Sequence, residues 1–152
     1  MSRLRKAWEA RPKWADRGSY SVVYAETSSK ARYQMFLDLD DTPMTQISVR
    51  RAKHLDVALP DEHRLVSELS PEQRSMVSHA YGCDRQGNGY RDHYCIHPGC
   101  LDMLHLAWEF GLFKGPCGEK AYGETPGWSG AFFYLTELGK LVAASMLPTY
   151  VR

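Results

Sequence analysis

Several things are scarce in this chain of 152 residues. It has no apolar run of the roughly 20 residues that a membrane-spanning helix needs, so no spanning helix is expected. Its first residues are charged and include Trp8 where a secretory signal would have an apolar core. The expected compartment is therefore the cytoplasm of a host cell, where thiols stay reduced. Cysteine is limited to Cys83, Cys95, Cys100 and Cys117, and in that compartment a disulfide framework is not expected. Neither charge sign dominates. Nineteen Lys and Arg face eighteen Asp and Glu, a net charge of +1, which sets the whole chain apart from strongly basic nucleic-acid binders. The Gly-x-x-x-x-Gly-Lys pattern is missing, so Gly82, Gly87 and Gly89 are not read as a phosphate loop. No internal repeat or low-complexity tract is visible.

What is present is ordinary for a globular protein: 43% hydrophobic and 24% charged residues. This length allows one domain or two very small ones. The charge is uneven. Through Arg32 there are eight basic and three acidic residues, a local charge of +5, and the remainder carries −4. Such asymmetry suggests a basic arm or patch at one end.

Residues 1–18 read as a basic leader interrupted by Pro12 and Gly18. It is either a surface segment that docks Trp8 and Trp14 or a basic–aromatic arm suited to phosphates and bases. Residues 19–60 read as a small β-α-β module. Tyr20, Val22, Val23 and Tyr24 are β-formers, and Thr27 or Ser28 caps a helix that runs to about Leu39. Asp40-Asp41-Thr42-Pro43 stops that helix, and Ile47 to Arg51 alternates as a second strand. A unit of this length can pair its two strands in parallel. Ser70-Pro71-Glu72-Gln73 is a helix start with the residue types of a capping box. Tyr90 to Ile96 reads as a strand, and about Cys100 to Phe110 as a helix closed by Gly111. Leu112 to Lys114 and Ala131 to Leu135 are candidate strands. Leu135-Thr136-Glu137-Leu138-Gly139-Lys140 opens a last helix.

This final layout of helix, Gly-Leu-Phe, gap, strand and Leu-Thr-Glu-Leu-Gly-Lys resembles the C-terminal part of winged helix-turn-helix regulators. The likeness covers about residues 70–147 and implies a winged-helix-like module over 65–152. The string Tyr24-Ala25-Glu26-Thr27-Ser28-Ser29-Lys30-Ala31-Arg32-Tyr33 looks like a module of small phage and prophage proteins of unassigned function, which implies a viral origin. The regulator resemblance implies a base-reading helix at residues 100–110. Its polar residues are Asp102, His105 and Glu109, an acidic face that phosphate would repel. The rest of that helix is apolar, as in a core or an interface; an exposed apolar face there would favour a homodimer. Between the candidate wing strands, Lys114 and Lys120 offset Glu119 and Glu124.

If DNA is bound, the expected surface is Lys30, Arg32, Arg50 and Arg51 together with the leader. Trp128, in a Gly-rich loop, is either a plug on the domain's own core or an interface anchor. His93, Cys95, His97 and Cys100, with Cys83 upstream, form the densest set of potential zinc ligands, but no second Cys-x2-Cys knuckle accompanies them. A Cys–His nucleophilic pair lacks any accompanying loop signature. Asp38, Asp40 and Asp41 suit a hard cation or, more simply, a solvated helix end. The reading is an α+β protein, without catalysis or cofactor, that binds a host macromolecule. A protein partner is favoured, for example a host defence complex to be inhibited. Duplex DNA bound by a regulator and a zinc-stabilised structural module are the alternatives.

Overall fold

The computed structural model describes residues 3–84, 86–117 and 130–149. The architecture is α+β and divides into two compact units.

The first unit comprises residues 3–60 with Pro148 and Thr149. Its elements are β1 (Arg3–Arg5), β2 (Ala7–Pro12), β3 (Ser21–Tyr24), α1 (Ser28–Asp38), β4 (Ile47–Arg51) and β5 (Val57–Leu59). The stretch read as a leader supplies the middle strand. β2 lies between β3 and β4 and is antiparallel to both. β3 and β4 therefore run parallel with a strand between them, and the direct pairing expected of a β-α-β module does not form. The reason lies in the two faces of β2. Trp8 and Ala10 pack with Ala31 and Met35 of α1, while Ala7 packs with Tyr24 on the other side. Glu9 and Arg11 share that second face, because side chains alternate along a strand. Their charges masked a period-two signal.

Ala10 is the last residue of β2 paired to β3, so Pro12, which has no N–H, lies beyond the stretch bonded on both sides. Thr27 caps α1 by accepting from the Lys30 N–H at 3.2 Å. β1 pairs antiparallel with β5. Arg5 is fully buried, and its Nε and Nη2 donate to the Pro148 carbonyl at 3.2 and 2.9 Å. A buried guanidinium is tolerated only with such partners.

The second unit comprises residues 61–147. It contains α2 (Pro71–Tyr81), β6 (His93–Ile96), α3 (Leu101–Trp108), β7 (Phe113–Cys117), β8 (Ala131–Leu135) and α4 (Glu137–Ser145). The strands form an antiparallel sheet in the order β6-β8-β7. Val77, Met103, Leu106, Leu112, Phe133 and Val142 make the centre of its core. The capping box is complete at Ser70 and Gln73, with Pro71 in the first turn. The Leu-Thr-Glu-Leu-Gly-Lys run has a packing explanation. Thr136 accepts from the Gly139 N–H at 3.0 Å to cap α4, and its hydroxyl donates to the Gly111 carbonyl at 2.7 Å. A Cβ on Gly139 would stand 2.1 Å from the Leu112 carbonyl oxygen, so only glycine lets α4 sit this close to the turn after α3.

Candidate functional site

Two surfaces have the chemistry of a binding site, one on each unit. The first is on α3. Met103 and Leu106 face the core with no exposure, whereas Leu101 and Trp108 are 82% and 69% exposed. With the half-buried Leu104 they occupy positions i, i+3 and i+7, one stripe of the helix. Of the polar residues expected on one face, Asp102 and His105 meet Gln73 of α2, while His105 and Glu109 are exposed. Buried Gln73 donates from Nε2 to Asp102 Oδ1 at 3.3 Å and lies 3.1 Å from His105 Nδ1. The His105 ring also meets Phe110 edge-on at 4.9 Å. The helix thus exposes an apolar stripe in addition to His105 and Glu109 of the expected polar face. The first unit has an apolar stripe too, Tyr33, Phe36 and Leu37 on α1, where Tyr33 and Phe36 stack on each other at 6.2 Å.

The second surface is the face of the β3-β2-β4 sheet that α1 does not cover. Glu9, Arg11, Arg17, Tyr20, Ser48 and Arg50 line a concavity of about 260 Å³ there. Glu9 is only 8% exposed and accepts from Arg50 Nε at 2.8 Å and from Arg50 Nη2.

The four cations expected to form one DNA-facing surface do not come together. Arg50 alone lines this concavity. Lys30 pairs with Glu26 on the surface of α1, and Arg32 Nε donates to the Ile47 carbonyl at 3.2 Å. Arg51 is structural. It makes a two-pronged bond to Asp56 at 2.6 and 2.5 Å, donates to the Ala7 carbonyl at 2.7 Å and lies 5.4 Å over the Trp8 ring. The Arg51 bond is the main cause that holds the Asp56 carboxyl below its ordinary value. Burial opposes that shift, and the Ala7 N–H, donating at 2.9 Å, assists it. Arg11 and Arg17 were included only as part of the leader, and Tyr20 only as a strand residue, because residues 7–20 were not read as a strand and its return loop. The alternation of Arg11 with Ala10 and Pro12 was the available signal. Trp128 and the rest of residues 118–129 lie outside the described residues.

Among the described residues, no three His, Cys, Asp or Glu side chains gather where a metal ion would be held. His97 Nδ1 accepts from the Gly99 N–H at 3.0 Å in a local turn, and Cys100 is the residue before α3. The His93 ring lies against Phe132 and Tyr134 at 5.6 and 6.1 Å. Burial pushes the Cys95 thiol above its ordinary value, the reverse of what an activated nucleophile requires. No described helix is long and apolar enough to cross a membrane.

Comparison with known proteins adds no assignment: no family model, no curated protein and no solved structure matches the chain.

Proposed function

We propose that this chain is a non-catalytic binding protein whose target is another protein, and that the Leu101–Leu104–Trp108 stripe of α3 is the docking surface. One observation carries the reading. Trp108 and Leu101 stand out in water on a helix whose inner face is fully packed. Tryptophan buries on the order of 150–250 Å² when covered and is among the residues that dominate binding hot spots. The α1 stripe draws less support, because two of its three residues already cover part of each other. The strand order β6-β8-β7 with α2, α3 and α4 around it supports the winged-helix layout implied by the sequence. The helix in the base-reading position exposes leucine, tryptophan and the acidic Glu109, however, and carries no Arg or Lys to hold phosphate. Duplex DNA as the target of Lys30, Arg32, Arg50 and Arg51 is disfavoured by the partners that all four already hold. The setting suggested by the N-terminal resemblance is a phage-encoded protein acting on a host assembly.

The test is an affinity pull-down from host lysate, with and without nuclease, using the native chain and L101S/W108S. A protein captured equally from both lysates and lost with the double variant supports the reading. Capture that disappears with nuclease, or survives the double variant, overturns it.

A further inference from the structure

The concavity on the open sheet face is independent of α3, and its chemistry is different. Strand register builds it. On β2 and β4, Glu9 stands opposite Arg50 and Arg11 opposite Ser48, while the alternate residues Ala10, Ile47 and Val49 pack in the core beneath α1. The return loop is fixed by its own backbone bonds. Lys13 N–H donates to the Gln46 carbonyl at 2.7 Å, Ala15 N–H to Pro12 at 3.1 Å and Ser19 N–H to Asp16 at 2.9 Å. Arg11 Nη1 also donates to the Ala15 carbonyl. This loop brings Arg17 and Tyr20 to the sheet side chains.

The lining has one carboxylate and three guanidiniums, a net charge of +2. Both Arg50 bonds fall on one carboxylate oxygen, Glu9 Oε2, and Arg50 Nη1 has no acceptor among the described residues. Arg17 has no hydrogen-bonding or ion-pair partner among the described residues, and Tyr20 is 47% exposed with no acceptor for its hydroxyl there. A cation is repelled by this balance, and an apolar ligand would meet Tyr20 alone among charged and hydroxyl-bearing neighbours. A phosphate group, with a charge of roughly −1.5 to −2, matches it in sign and size. Planar guanidiniums bond phosphate oxygens in pairs. The tyrosine beside them offers the ring face on which a nucleobase stacks. The volume is below the range of about 300–1,000 Å³ for drug-sized ligands, which fits a phosphate with one attached ring system and not a larger cofactor.

We propose that Arg11, Arg17, Arg50, Ser48 and Tyr20 form a binding site for a nucleoside phosphate. Glu9 is a positioning residue that holds the Arg50 guanidinium at the rim. The same chemistry is presented by a free nucleotide and by one unit of a single strand.

The test titrates the full chain with adenosine 5′-monophosphate, inorganic phosphate and a short oligodeoxythymidylate, read by amide chemical shifts at low salt. The expected result is saturable binding with shifts confined to about residues 9–22 and 47–51. R17E is expected to weaken it at least about tenfold and R17Q somewhat less, with unchanged melting temperatures because Arg17 holds nothing in the fold. Y20L is expected to weaken the nucleotide more than inorganic phosphate. Tighter binding of the oligonucleotide with steep salt dependence identifies a strand as the source, and tighter binding of the monophosphate identifies a free nucleotide. The proposal is overturned if neither saturates by about 5 mM, a weak-affinity ceiling, or if R17E binds as the native chain does. Equal binding of phosphate and nucleotide, unaffected by Y20L, overturns the nucleoside assignment.

Discussion

Gly139 has a neighbour where its side chain would be. Any Cβ there meets the Leu112 carbonyl at 2.1 Å, and backbone on both sides must shift to relieve it. G139A should lose about 1–3 kcal/mol in urea unfolding, the usual range for overpacking a filled site. An unchanged midpoint would show that α4 moves away freely. Asp56 makes a different prediction. Its carboxyl is held low in the folded chain, mainly by Arg51, so it binds a proton less readily there than when unfolded. The stability it contributes is present above the ordinary carboxylate pKa of about 3.9 and is lost as pH falls through the lower folded value. D56N should melt below the native chain at neutral pH, and the gap should narrow under about pH 4. A gap that stays constant with pH would mean that the carboxylate charge does not matter. At this scale the sequence was legible where one residue acts on its own neighbours. The cap at Ser70 is an example, and of the two candidates Thr27 and Ser28 the structure selects Thr27. Arg51, chosen as a surface cation, is a structural one because Asp56 and Trp8 reach it from other elements.

Elements were legible in proportion to how local their signal is. The α2 start was readable from Ser70, Pro71 and Gln73, and removing its cap with S70A should cost about 1 kcal/mol by chemical denaturation. β2 was not readable. It is a strand because β3 and β4 flank it, and its outer face carries Glu9 and Arg11 for a site that assembles only from β2, β4 and the return loop. α3 lies between these cases. Its apolar character was plain, but which apolar residues it buries, Met103, Leu106 and Ala107, depends on the elements packed against it. L101S/W108S should therefore leave the melting temperature within about 1–2 °C of native, since exposed residues away from special features change stability little. A large fall would mean that the stripe is part of the core.

At the scale of the whole molecule, two small α+β units each carry a surface of distinct chemistry, an apolar helix stripe and a basic concavity. Net charge averages this difference away, so a chain of net charge +1 conceals a local site of +2. The central claim is that α3 contacts a protein. It is tested most directly by a photo-crosslinking residue in place of Trp108, with Ser78 on exposed α2 surface as the control position, in host lysate with and without nuclease. The account predicts a cross-link to one host protein from position 108, insensitive to nuclease and absent from position 78. No cross-link from position 108 while the chain still captures its target, or a nucleic-acid adduct there, would contradict it.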